Sequence, residues 1–465
     1  MHICFLIPDG VGIRNYLYSD IIGELEKDGH SVTVWHSLDE EVIQQAKRIH
    51  TTSEFNQYSF SFYKEDVLPR FLRDTVAFSR LKLNSQLKNN PTILDNWLPK
   101  KNLKGRISNF FAKSLASRSP SFEKIEGVEK MIVAQHRKSQ AYKKYQDDLK
   151  KIGPDIVFCT HQREPNAGLA MLAARDLGIK TVTAIFSWDN LPKGRLPMRA
   201  DFYLVWSEYM KTELLEYFPD IQEHQIRIVG TPQFDFYSNS SLLLSREEFA
   251  NQWGLDPEKK WICFSGDDIL TSPHDPKYLW DIAQSLLDQP SIQVIFRPVP
   301  VEGFERYQYV LEKFPEIKVL PPLWKKGALW SRYFPYPEDI QMLVNLAKHC
   351  GTVINVGSTM ALDFAQFDHP GIYLNYEVNP SHSWSIKRVY RFQHFRSFKD
   401  LDAVVWINSK EEIKDTVLKV LETPAQVAKD RIIWRDRIVS QQSDISSSSR
   451  IIGFLKSIPN SLSSN

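Results

Sequence analysis

The chain has 465 residues, 42% of them hydrophobic and 25% charged, with a formal net charge of +2. That length exceeds one ordinary core and predicts two domains of about 200 residues each. The near-neutral balance excludes a protein that holds polyanions by its overall charge, and the apolar content excludes a disordered chain.

Residues 3–7 read as a buried strand, 8–12 as a turn, 16–27 as an amphipathic helix and 31–35 as a second strand, which together make a βαβ unit. Residues 51–151 lose this rhythm and read as mostly helical. Between 80 and 151 there are 17 Lys/Arg against 6 Asp/Glu, a local excess of 11. Trp97, Leu98, Leu103, Phe110, Phe111 and Leu115 are interleaved with those charges. A charge run is usually a solvated face, but this mixture suits a peripheral surface resting on anionic lipid headgroups. No element that reads bases accompanies it, so no nucleic-acid partner is expected.

The α/β rhythm then returns, with strands at 155–160, 181–186, 202–206 and 226–229 and helices at 166–177 and 209–217. Gly230-Thr231-Pro232 ends this half, and residues 237–245 read as a linker. A second series follows: strands at 261–265, 293–296, 318–320, 353–356 and 372–376, and helices at 276–287, 339–349 and 360–367. A helix at 425–439 and a Ser-rich tail at 443–449 close the chain. The expected fold class is α/β: two doubly wound, Rossmann-like domains facing a cleft, with a basic helical insertion in the first. The domains are expected at 1–236 (insertion at about 51–151) and 237–430, with 431–465 packing back on the first.

Cys4, Cys159, Cys263 and Cys350 show neither metal-ligand spacing nor a disulfide framework, which fits a reducing cytoplasm. The opening MHICFLIPDG carries no charged leader, so no signal peptide is expected. No window approaches the roughly 18 apolar residues of a membrane span. The expected place is the cytoplasm, with any membrane association peripheral on its inner face.

The most informative segment is VINVGSTMALDFAQFDHPGIYLNY. A strand runs into the small-residue turn Gly357-Ser358-Thr359, which opens a helix whose first N–H groups suit a phosphate. Asp363 follows Thr359 by one helical turn, where a carboxylate can accept from ribose hydroxyls. Arg297 leaves the carboxyl end of an apolar strand and is a candidate diphosphate contact. Tyr336, in PYPEDI at a helix start, is a candidate to stack on the base; capping is its other reading.

In the first half, the loop PDGVGIRN follows the first strand and carries Asp9, Arg14 and Asn15. Asp9 is the first candidate for a base that takes an acceptor proton, against an ordinary turn residue. Arg14 and Asn15 would line the acceptor side. His161 ends DIVFCTH and Asp189 sits in SWDN, each after a strand, and each is a candidate base or acceptor contact, against an ordinary hydrogen-bonded histidine or helix cap.

Two Rossmann-like halves with a nucleotide site in the second resemble the GT-B class of glycosyltransferases, which also holds the sugar-nucleotide 2-epimerases. Gly357-Ser358-Thr359 with Asp363-Phe364-Ala365 looks most like the turn and helix of glycerophosphotransferases that build teichoic acids. An Arg-Pro-His-Pro tetrapeptide in those enzymes matches Arg297-Pro298-Val299-Pro300 here, so Val299 stands where they carry histidine. The resemblance implies a sugar moved from a nucleotide-sugar donor to a hydroxyl of a glycan or lipid-linked acceptor; the expectation of inversion rests on the acid Asp9 in the first loop. It implies no cofactor and no metal. The alternatives are a 2-epimerase of the same fold and a non-catalytic nucleotide- or carbohydrate-binding protein.

Overall fold

Runs such as HICFLI and KWICFS place apolar side chains on both sides of the pleat. Only a parallel sheet with helices on both faces buries both sides at once. The computed structural model describes residues 1–50, 55–97, 103–116, 121–327, 333–379, 384–440 and 445–458, and it turns these runs into two such sheets. Leu98, the Leu103 side chain and positions 443–444 of the Ser-rich tail lie outside the described residues. The chain divides into two compact units, Met1–Pro232 with Ile438–Asn465, and Gln233–Arg437.

The first unit holds β1 (His2–Ile7), β2 (Ser31–His36), β3 (Asn56–Ser59), β4 (Ile156–Cys159), β5 (Lys180–Ala184), β6 (Phe202–Val205) and β7 (Ile226–Ile228). Their order is β3-β2-β1-β4-β5-β6-β7, all parallel. The second unit holds β8 (Lys260–Ser265), β9 (Ile292–Arg297), β10 (Lys318–Val319), the short antiparallel pair β11 (Trp324–Lys325) and β12 (Phe334–Pro335), then β13 (Thr352–Asn355), β14 (Gly371–Leu374) and β15 (Val405–Ile407). Its main sheet runs β10-β9-β8-β13-β14-β15, again parallel. The expected α/β class with two doubly wound layers is therefore present. In each sheet the strand order reverses once, between β1 and β4 and between β8 and β13. Phe5 stands opposite Phe158 across the first reversal, with ring centroids 5.2 Å apart.

The insertion between β3 and β4 is built of the helices Val67–Leu87, Leu103–Ala116, Phe122–His136 and Gln140–Ile152. Arg80 ties two of them together, with Nη2 2.7 Å from Glu129 Oε1 and its guanidinium 4.4 Å from the centre of the Phe218 ring. Ile107, Phe110, Phe111 and Leu115 all lie on the outer face of Leu103–Ala116, with Phe110 68% exposed. The C-terminal helix Ser447–Ser457 packs on Ile21–Lys27, where Lys456 Nζ meets Asp28 Oδ2 at 2.7 Å. Among the described residues no helix is long and apolar enough to cross a membrane. All four cysteines are free and buried, and burial pushes the Cys159 and Cys263 thiols up to about 12.

Four departures from the sequence reading have local causes. The helix expected over 16–27 is split into a π-helical turn, Ile13–Leu17, and an α-helix, Ile21–Lys27. The wide turn, closed by Tyr18 N–H on Ile13 O at 3.0 Å, brings Ile13, Tyr16 and Leu17 all inward. Asn56–Ser59 is an edge strand within a stretch expected to be helical, and its mostly exposed side chains leave no apolar alternation to read. The expected linker contains the buried Tyr237 and leads into a helix, Arg246–Trp253, started by a Ser245/Glu248 capping box. The helix expected over 425–439 begins only at Arg431, because Ala428 has a φ of 45°.

Glu213, on the helix Glu208–Tyr217, is buried, and that burial pushes its carboxyl up to about 8 while Lys88 pulls the other way. A raised acid holds its proton more tightly when folded, so its stability contribution is complete below the ordinary value of 4.5 and is lost as pH rises through about 8. Glu213→Gln is expected to melt roughly 5 °C or more above wild type near pH 9 and to match it near pH 4. Thermal unfolding across that range checks this; a constant difference between the two proteins would contradict it.

Candidate functional site

Where the strand order of an open parallel sheet reverses, the connecting helices leave to opposite faces and a crevice opens at the carboxyl ends of the two strands. In the first unit this point belongs to β1 and β4, which deliver Asp9 and His161. His161 Nδ1 lies 2.7 Å from Asp9 Oδ2, and both residues are buried. Asp9 Oδ1 accepts from Val11 N–H at 3.1 Å, which caps the short turn Gly10–Gly12. A carboxylate only accepts, so His161 Nδ1 carries the shared proton and Nε2 is the basic nitrogen. The ring is held edge-on to Phe186, 4.8 Å between centroids. Gly12 makes this loop possible, since a Cβ there would lie 2.3 Å from Thr160 Oγ1.

This geometry revises the order of the candidate bases. Asp9 spends both oxygens on Val11 and His161, so it orients the imidazole, and His161 becomes the group able to take a proton. Asp189 is engaged in its own turn. Its Oδ1 accepts from the Ser187 hydroxyl at 2.6 Å and Asn190 Nδ2 at 3.2 Å, and Lys193 pairs with Oδ2. It is a turn residue with a cation on it. Asn15 is buried, 3.4 Å from Thr231 Oγ1 through Nδ2, and accepts from Arg14 Nε at 3.3 Å.

In the second unit the reversal belongs to β8 and β13. Asn355 ends β13 and its Oδ1 accepts from Ser358 N–H at 2.8 Å. The Ser358 carbonyl accepts from the Tyr373 hydroxyl at 3.0 Å, and Ser358 Oγ accepts from Met360 N–H at 3.4 Å. Gly357 turns the chain with a φ of 74°, and a Cβ there would lie 2.6 Å from Phe395 Cζ. The turn is thus fixed from three sides, while Thr359 is exposed at its tip. The helix Met360–Phe364 and the 3-10 turn Ala365–Phe367 follow. Asp363 points inward: it is buried, and its Oδ1 accepts from the Tyr237 hydroxyl at 2.7 Å. A ribose hydroxyl would have to take Tyr237's place on that oxygen.

Arg297 departs furthest from expectation. It is 5% exposed, donates from Nη2 to Asp339 Oδ1 at 2.7 Å and from Nη1 to Leu320 O at 3.4 Å. Asp339 also accepts from Leu323 N–H and Trp324 Nε1, both at 2.7 Å. Arg297 is therefore the buried cation of a structural network that ties β9 to the start of the helix Pro337–His349. Tyr336 is the N-cap residue of that helix and half-buried, with its ring 5.7 Å from that of Phe334.

Two acids that sequence reasoning passed over stand beside the Gly357 turn. Asp267, two residues beyond β8, has a buried Oδ2 without a hydrogen-bond partner among the described residues. Burial, then the neighbouring Asp275 charge, pushes its carboxyl well up, while Val356 N–H opposes this. Asp275 is pushed up to about 6 by burial; Asp267 N–H at 2.6 Å, Ser272, Arg306 and Tyr307 offset part of that rise. The strand-end rule applied to SGDD after CFS was the signal that could have found them. Among the described residues no group of three or more His, Cys, Asp or Glu side chains is placed to hold a metal ion.

Two parallel reversed-order sheets in tandem are the GT-B fold. No protein-family model matches the chain, and no curated protein matches it. Solved structures do. A UDP-GlcNAc 2-epimerase from Methanocaldococcus jannaschii is 12% identical over 98% of this chain and 99% of its own, with a TM-score of 0.52. A glycosyltransferase from Rickettsia africae is 11% identical over 98% and 97%, with a TM-score of 0.52. MnaA of S. aureus, solved with UDP, is 10% identical over 98% and 96%, with a TM-score of 0.51. At these identities the likeness concerns the fold.

Arg297→Met is expected to cost about 3–5 kcal/mol in urea unfolding, because it leaves Asp339 buried without its cation. Adding Asp339→Leu should restore most of that loss. A single variant with wild-type stability would refute the structural assignment.

Proposed function

We propose that the protein is a glycosyltransferase that moves a sugar from a nucleotide-activated donor to a hydroxyl of a surface glycan or lipid-linked acceptor, inverting the anomeric centre without a metal. The observation that carries this reading is chemical. One unit's strand reversal bears an Asp–His pair suited to proton transfer, and the other's bears a small-residue turn suited to phosphate. The GT-B fold supports it as the scaffold.

In this mechanism His161 Nε2 takes the acceptor hydroxyl's proton as the new C1–O bond forms and the bond to the diphosphate breaks. Asp9 steadies the imidazolium across the 2.7 Å bond. The leaving diphosphate is received by the Thr359 N–H and by the Ser358 and Thr359 hydroxyls, while the Ser358 N–H stays on Asn355 and holds the turn in shape. Asp363 takes the ribose by exchange with Tyr237. The outer face of Leu103–Ala116, with Phe110 and Phe111, is the part that would rest on an anionic membrane.

A second reading, a sugar-nucleotide 2-epimerase, is favoured by the two buried acids Asp267 and Asp275, both raised by burial, beside the Gly357 turn. Incubation with a sugar nucleotide alone separates the two, since only an epimerase turns over without an acceptor.

A nucleoside diphosphate at 100 times its Kd is expected to stabilise the protein by about 2.7 kcal/mol in a thermal-shift panel of UDP, CDP, GDP and dTDP. Thr359→Asp, an exposed position, should abolish that shift while leaving the unliganded melting temperature unchanged. A shift that survives Thr359→Asp would sink the phosphate turn. His161→Ala is expected to lower kcat by roughly 100-fold or more, with Asp9→Asn less severe, in a transfer assay. Unchanged turnover in His161→Ala would remove the proposed base.

A further inference from the structure

A cavity of about 290 Å³ lies within the first unit, under the helical insertion. The helices Val67–Leu87, Leu103–Ala116 and Phe122–His136 wall it together with the segment 194–198 and with Arg163 beyond β4. One side is apolar: Val76, Ile132 and Met198 meet there. The polar lining consists of three guanidiniums (Arg73, Arg163 and Arg195), three carboxylates (Glu65, Asp74 and Glu129), His136 and the amide of Asn109.

Arg163 and Arg195 make no hydrogen bond to a carboxylate among the described residues. Arg163 Nη1 donates to Asn190 Oδ1 at 2.7 Å and Arg195 Nη2 to Asn96 O at 3.3 Å, both neutral acceptors. The three carboxylates that line the same cavity are drawn on by other cations as well. Glu65 takes three bonds from Arg73, Glu129 is shared by Arg80 and Arg199, and Asp189 holds Lys193. Asp74 stands 3.7 Å from Arg73. Burial, and then the neighbouring Arg195 charge, draws Arg163 down to about 10, with Asp189 opposing; Arg195 is lowered by burial and then by Arg73, with Asp74 opposing. Two desolvated like charges facing one cavity are costly until an anion joins them.

Asn109 is an independent sign. It projects from the inner face of the helix whose outer face bears Phe110 and Phe111, and it is 6% exposed. Neither its Oδ1 nor its Nδ2 has a hydrogen-bond partner among the described residues, and Arg163 Nε is likewise buried without one. Native proteins seldom leave such groups unmet, and a ligand oxygen would meet them.

We infer that this cavity is a binding site for an anionic amphiphile, whose phosphate or carboxylate head is received by Arg163, Arg195 and Asn109 and whose apolar body lies against Val76, Ile132 and Met198. This goes beyond the donor reading and stands without it, since no residue of the phosphate turn takes part.

The full-length protein is titrated by calorimetry with monomeric decyl phosphate, decanoate, decanol and inorganic phosphate. One of the two amphiphilic anions is expected to bind at least tenfold more tightly than decanol and than inorganic phosphate, and which one it is identifies the head group. Arg195→Gln and Asn109→Leu should each weaken that binding at least tenfold while leaving the UDP thermal shift in place. Arg106→Gln, on the exposed face, should bind as wild type. Should Arg195→Gln fail to fold, Asn109→Leu and the four-ligand comparison decide. The site is refuted if decanol or inorganic phosphate binds as well as the amphiphiles, if no ligand binds, if neither cavity variant weakens binding, or if Arg106→Gln weakens it equally.

Discussion

The candidate transfer site of this protein depends on where its parallel sheets reverse their strand order. Pairing β1 with both β2 and β4, and β8 with both β9 and β13, sends successive connections to opposite faces. No helix can then cover the carboxyl ends of the central two strands. The side chains that emerge there are Asp9 and His161 in one unit and Asp267 with the Gly357 turn in the other. Fully apolar strands make this arrangement affordable, since each is buried on both faces and leaves its polar work to the residues just past its end.

The protein treats its buried charges in three different ways, and the difference separates structure from chemistry. Arg297 and Asp339 are closed on each other and on backbone groups, so they hold β9, the β11 loop and a helix start in register. Asp9 and His161 are closed on one side only: the carboxylate orders the ring, and the ring presents its remaining nitrogen. Asp267 and Asp275 are pushed above the usual carboxylate range, first by their burial. An ion pair satisfied from every side is a girder. A pair with one basic or acidic atom left over is the kind proposed above for chemistry.

Much of the architecture was legible because the apolar runs of a parallel sheet are long and unbroken, and the turn at Gly357 breaks one with three small residues. The edge strand β3 was not legible, since NQYS has no apolar face. Nor was the split of the first helix, which follows from packing Ile13, Tyr16 and Leu17 inward together. Among the site residues, Asp9 and His161 were visible singly, each as a polar residue after a strand. Their 2.7 Å bond joins positions 152 residues apart, and no local pattern records such a distance.

The amino-acid sequence by itself determined the α/β class, the doubly wound layers and the small-residue turn, because these follow from period, length and backbone freedom within short segments. Tertiary structure alone decided which polar residues are spent. Arg297 looked like a phosphate ligand until Asp339 was found upon it, and Asp9 looked like a base until His161 was. A side chain's chemistry is its residue type minus the partners that folding brings to it, and those partners come from distant parts of the chain.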